Sequence, residues 1–253
     1  MPHGLLALPR RSLLVVLLLG SALITVMSVP YFDFETLPPF VIEKLPVKFE
    51  ALWLASLRVH VGSASLAFPL CLALMTRSLQ RRPRWHRWAG RFTGVLVLGA
   101  LVPSGVVLAF DAKGGLLGTT GFLLSAAIVA SAVVYGVAAA RRHDFATHRR
   151  AMRHVVGQMS VAVSSRALIL ALDGAGLNPD SAYVLALWGP VVATALVIEL
   201  ASRPSLLARS RSSLRRSIPF SRLALSKGIS REISPVAALL PVRSHSGLRR
   251  CGR

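Results

Sequence analysis

The stretch LLGTTGFLLSAAIVASAVVYGVAAA, residues 116–140, followed at once by RRHDFATHRRAMR, residues 141–153, decides the fold. Residues 116–140 pass without a single charge, and five arginines arrive directly after them. A helix needs about 20 mostly apolar residues to cross the hydrocarbon of a bilayer. This run meets that need, and the arginines mark where it leaves the membrane. Five further stretches qualify on the same ground, at approximately 12–29, 51–76, 92–110, 151–172 and 181–201. The expected fold class is therefore all-α: a polytopic membrane helical bundle of about six transmembrane helices with a disordered basic C-terminal tail. The short connections predict antiparallel packing of sequential helices.

The composition agrees. Of 253 residues, 53% are hydrophobic and 16% charged, against about 25% charged in soluble domains. Mean hydropathy is +0.59. These values exclude a disordered chain, a disulfide scaffold and an ordinary cytosolic enzyme. The cysteines, Cys71 and Cys251, form no zinc pattern and read as free thiols.

Basic residues outnumber acids 30 to 10, and 26 of the 30 are arginine. In a soluble protein this would suggest nucleic acid. Here the arginines lie between apolar runs, so they read as topogenic and as attraction to an anionic lipid surface. The partner is the lipid bilayer, and no nucleic acid is expected. Arg10 and Arg11, the 77–91 connection and the 141–153 connection all fall on one side of the bundle. The opposite loops hold Lys44, Lys48, Lys113 and most of the acids. Positive loops stay cytoplasmic, which predicts an inner (plasma) membrane protein with both termini inside.

Three segments follow. Residues 1–50 hold the first helix and an outer loop rich in proline and aromatics. That loop either caps the bundle or links two helices with interfacial anchors. The first helix reads as retained, because no A-x-A cleavage site follows SLLVVLLLGSALITVMS, although a signal anchor or signal peptide shares its features. Residues 51–202 form the bundle. Residues 203–253 carry many arginines and serines and read as a flexible cytoplasmic tail.

Ionisable residues within spans are costly and are functional candidates by default. The second span holds Arg58 and His60, the latter about 13 Å below the outer boundary at 1.5 Å per residue. A hydrogen bond from His60 to a neighbouring helix is the structural reading. The block RRPRWHRWAGRF, residues 81–92, places His86 between Trp85 and Trp88 at the inner end of the third span. Gly90 and Gly94 have the small-xxx-small spacing of close helix contacts. At the start of the fifth span come His148 and His154, with Gln158 on the face of His154. Arg166 lies deeper in the same span, where it needs a partner, water or a route to the surface. Asp173 and the outer-loop acids are candidate partners. Glu199, near the inner boundary of the sixth span, is placed to pair with loop arginines. The segment GGLLGTTGF, residues 114–122, reads as a tight outer turn and a close-packed helix start.

Taken together, His60, the His86-Arg87-Trp88-Ala89-Gly90-Arg91 block, the glycine-rich turn and His148-Arg149 resemble one bacterial family, called domain of unknown function 2306. The resemblance covers roughly Leu57 to Leu172. Met152 and Arg166 match the family's later motif, usually His-Arg-x-Trp-Met-x-Arg with another arginine deep in the helix. Ala151 stands at the usual tryptophan and His154 at the usual arginine. The resemblance implies a multi-pass membrane protein and carries no established activity.

Two functional readings compete. In the first, the protein is a b-type haem electron-transfer protein, because transmembrane cytochromes hold haem between helices with two histidines at equal depth. His86 and His148 are the best-matched metal ligands, with His60 and His154 a second pair and Arg166 or the loop arginines facing propionates. A quinone or redox partner would then be implied. In the second, the protein is a non-redox transporter, lipid-binding protein or assembly factor, whose histidines and arginines are structural or line a polar cavity. Hydrolytic enzymes are disfavoured by the absence of a nucleophile elbow or a His-Glu-x-x-His helix.

Overall fold

Each apolar stretch becomes a helix, but two helices begin well before the hydrocarbon does. The computed structural model describes residues 10–202. The tail expected over 203–253, and Cys251 within it, lie outside the described residues. The first span is α1 (Arg10–Met27), extended by a 3-10 turn (Val29–Phe32). A short α2 (Pro39–Lys44) precedes α3 (Glu50–Leu74), and one turn, α4 (Arg77–Gln80), follows it. The third span is composite: α5 (Pro83–Leu96), a π-helical turn (Val97–Leu101) and α6 (Val102–Ala109). The last three spans are α7 (Gly115–Arg141), α8 (Phe145–Gly174) and α9 (Pro179–Ser202). Among the described residues, six helices are thus long and apolar enough to cross a membrane. No strand occurs among the described residues.

The early starts have local causes. Helix α5 begins at Pro83, not near 92, because proline suits the first helical turn. The basic block then winds into an amphipathic helix that buries Ala89 and Thr93 and exposes its arginines. Helix α8 begins at Phe145, not near 151, because the Asp144 side chain accepts from the Thr147 N–H at 3.0 Å. Hydropathy marks the apolar stretch, whereas the helix runs on to its cap.

Helices α7, α8 and α9 pack together, and α3 carries α1, α5, the π turn and α6 on its flanks. The main core joins Ala67, Phe68, Cys71 and Leu72 of α3 to Val97 and Leu101, Val129 and Val133 of α7, and Val155 and Met159 of α8. Between helices in lipid, burial offers little driving force, so close backbone approach and hydrogen bonds set the packing. Glycine supplies that approach. A Cβ on Gly121 would meet Leu187 of α9 at 2.7 Å, and one on Gly157 would meet Ile198 at 2.7 Å. The 114–122 segment is the tight turn its sequence predicts: Gly114 and Gly115 have φ of +86° and +58°. A Cβ on Gly118 would lie 2.0 Å from the Lys113 carbonyl oxygen. Gly90 and Gly94 differ from expectation. Nothing lies within 4 Å of a Cβ at Gly90, and only Val133, at 3.8 Å, near one at Gly94. Their spacing is right for a helix contact, but only Gly94 meets one, the Val133 side chain of α7 at ordinary contact distance.

The segment between the first two spans is a cap. Val41 of α2 is buried against Trp53 and Leu57 of α3. Arg58 donates to the Tyr31 and Asp33 carbonyls at 3.2 and 3.5 Å and lies 4.0 Å over the Phe34 ring. Lys113 pairs with Glu43 at 3.5 Å. Arg58, a charge deep enough to suggest a substrate contact, is occupied in holding this cap.

Replacing Gly118 with alanine forces its Cβ against backbone that cannot rotate away. The expected cost is about 1–3 kcal/mol, read as a lower Tm in detergent. Gly90→Ala meets open space and gains helix propensity, up to about 1 kcal/mol, so its Tm holds or rises.

Candidate functional site

A cleft of about 430 Å³ lies among α7, α8 and α9, at the end of the bundle where the arginines gather. Helix α7 contributes Ile128, Ser131, Ala132 and Tyr135; α8 contributes Thr147, Arg150, Ala151 and His154; α9 contributes Glu199. Small residues open it. A Cβ on Gly136 would meet Met152 at 2.3 Å and Ala151 at 3.1 Å, so α7 and α8 touch there through glycine and alanine. Ala151 and His154, the two departures from the resembled motif, both line this cleft.

Glu199 organises the polar wall. Its Oε1 accepts from Arg150 Nε at 3.2 Å and from His154 Nε2 at 2.8 Å, and its Oε2 accepts from Arg150 Nη2. A carboxylate can only accept here, so His154 carries its proton on Nε2. His154 Nδ1 is buried without a hydrogen-bond partner. One turn deeper, Gln158 ties the same three helices. It accepts from Ser125 of α7 at 3.0 Å and donates to the Val191 carbonyl and Thr194 hydroxyl of α9 at 3.0 and 3.1 Å.

His148 donates from Nδ1 to the Gly136 carbonyl of α7 at 2.9 Å, since a carbonyl cannot donate back. His86, in the first turns of α5, has a buried Nδ1 with no hydrogen-bond partner. The two rings lie near enough for a charge on one to bear on the other. His60 donates from Nδ1 to the Leu101 carbonyl at 3.2 Å, with Ser104 at 3.5 Å. Leu101 closes the π turn, whose register follows from Pro103: proline has no N–H for the Gly99 carbonyl four residues back. Gly105 makes room, since a Cβ there would meet the His60 ring at 3.0 Å. A smaller groove of about 240 Å³ runs beside Ser104, lined by small residues such as Ala55, Gly99 and Ala100. His60 thus faces α6 and the π turn while His154 faces α9, and no hydrogen bond joins that pair. Arg166 is exposed and donates to the Ala162 carbonyl of its own helix at 2.8 Å, and makes no ion pair with Asp173 or an outer-loop acid.

Among the described residues, no group of three or more His, Cys, Asp or Glu side chains could hold a metal ion. Sequence reasoning gave Glu199 loop arginines as partners and missed its bond to His154. A lone carboxylate in a span, on the helix facing a span histidine, was the available signal. It also missed the π turn, for which Pro103 was the signal.

Fold and site together define a polytopic α-helical membrane protein with interhelical polar contacts. A family model described as "Predicted membrane protein (DUF2306)" matches residues 57–202, and the chain belongs to that family. No curated protein and no solved structure matches it.

Two outcomes follow. Gln158→Leu leaves buried partners on α7 and α9 unsatisfied, at about 1–3 kcal/mol, and lowers Tm. At Asp144, hydrogen bonds from the Thr147 side chain and backbone hold the carboxyl below its ordinary value. Its stabilising contribution is therefore complete above that ordinary value and is lost as pH falls through the lowered one. Asp144→Asn, which caps without titrating, removes that part of the acid sensitivity in a Tm-against-pH series.

Proposed function

We propose that this is a non-redox membrane protein that holds an amphiphile in the cleft among α7, α8 and α9. The carrying observation is the gradient along its wall. Thr147, Arg150, Glu199 and Tyr135 lie at the arginine-rich end, and Ile128 lies about 10 Å deeper at 1.5 Å per residue. A polar head and an apolar chain match that order. The volume falls within the roughly 300–1,000 Å³ of small-molecule sites. His60, His148 and His154 each bond across a helix interface, which suits a structural part for them better than an iron-ligating one.

The arginine asymmetry supports insertion in the inner (plasma) membrane with both termini cytoplasmic, so the cleft would serve the cytoplasmic leaflet. Residues 51–202 would be the binding unit and 203–253 a basic tail on anionic lipid.

One observation favours a second reading, b-type haem on His86 and His148. The Nδ1–H bond to Gly136 leaves His148 Nε2 free, an orientation common to metal-bound histidines, and a charge on that ring would bear on His86. Nearby arginines would hold propionates, and a quinone or redox partner would follow. The two clefts described above are lined by neither ring.

Purified from haem-sufficient cells in mild detergent, the protein should be colourless before and after dithionite. It should also retain lipid by native mass spectrometry. Ser131→Trp, at an exposed lining position, should lower that retention at least threefold with Tm unchanged. A reduced α-band that His148→Ala abolishes would instead establish the haem reading.

A further inference from the structure

The mouth of the cleft holds one cation and one anion, already joined. Arg150 forks onto Glu199, and His154 holds the same carboxylate from the other helix position one turn on. The two partners are substantially open, with side chains 50% and 38% exposed. Such a screened pair contributes little and opens readily. A head group seated there covers both charges from water, so it must leave each of them compensated.

We propose that the cleft takes a zwitterionic amphiphile bearing a primary ammonium and a phosphodiester, the chemistry of an aminophospholipid head. This rests on the reading of the cleft as an amphiphile site. The phosphodiester lies on Arg150, whose guanidinium fork matches two phosphate oxygens. The ammonium lies on Glu199. A purely anionic head would sit against the Glu199 carboxylate, and a purely cationic one against Arg150. A zwitterion alone exchanges one internal ion pair for two external ones. A primary ammonium also donates hydrogen bonds to a carboxylate, which a quaternary choline cannot do. The hydroxyl of Tyr135, which also lines the cleft, is available to the phosphodiester, and an acyl chain follows Ala132 and Ile128 inward. His154 is a positioning residue: its Nε2–H keeps Glu199 turned into the cleft.

The test uses the full-length protein equilibrated with mixed vesicles of phosphatidylethanolamine, phosphatidylglycerol and phosphatidylcholine in equal parts, with bound lipid identified by native mass spectrometry. The wild type should retain the ethanolamine lipid at least fivefold over either other. Glu199→Gln, with Glu199→Asp as the conservative variant, separates charge from fold. The glutamine variant should bring the ethanolamine-to-glycerol ratio near one while retaining lipid, and the aspartate variant should keep part of the preference. Arg150→Gln should lower retention of both phospholipids. A wild-type preference for phosphatidylglycerol, or an undiminished ethanolamine preference in Glu199→Gln, overturns the zwitterion assignment. If Ser131→Trp leaves all retention unchanged, the amphiphile reading beneath it falls too. If Ser131→Trp abolishes retention while Glu199→Gln leaves the ratio unaltered, only the assignment of the head falls.

Discussion

A hydrogen-bonding group in hydrocarbon has no water to turn to, so each polar side chain within a span needs a partner in the protein. That demand arranges this bundle. Gln158 joins α7, α8 and α9 through three hydrogen bonds. Glu199 draws two α8 side chains onto α9, His148 reaches the α7 backbone, and His60 reaches the π turn. Serines and threonines that lack a second helix bond back to their own, as Thr93 does to Ala89 and Ser164 to Ser160. The cleft among α7, α8 and α9 stands where two such links, at Gln158 and at Glu199, fix the three helices at different depths.

These links work only because the backbones come close. Gly136 admits Met152 and Ala151, Gly121 admits Leu187, Gly105 admits the His60 ring and Gly157 admits Ile198. Small residues and polar contacts are therefore one device: the glycine sets the distance and the hydrogen bond sets the register. At the opposite end the problem is different. There Arg58, Val41 and Lys113 fasten a proline-rich segment over α3, using carbonyls, an aromatic face and one ion pair.

The sequence announces the spans because one apolar run per helix is a local property. The double-glycine turn at Gly114 is legible for the same reason. Helix starts were less so: Pro83 and Asp144 extend α5 and α8 into segments that composition alone marks as loops. Pairing was least legible. Gly90 carries the spacing of a helix contact yet has open space before it, while Gly136, equally spaced from Ala132 and Ala140, is a tight crossing. A partner's identity depends on the rotation of two helices about their axes, and no single-chain periodicity fixes both. His86 and His148 were matched by depth alone. Depth follows from counting residues; what bonds each ring does not.

His60 and His148 act as hydrogen-bonded links between helices. Their tautomers test this role, because a carbonyl acceptor forces the proton onto one nitrogen. The most direct measurement is the nitrogen NMR spectrum of ¹⁵N-histidine-labelled protein in lipid nanodiscs near pH 8, assigned with His60→Gln and His148→Gln. Both rings should carry a proton on Nδ1, with its resonance shifted by hydrogen bonding to the carbonyl. Rings protonated on Nε2 alone, or signals broadened and displaced by a bound iron, would contradict that role.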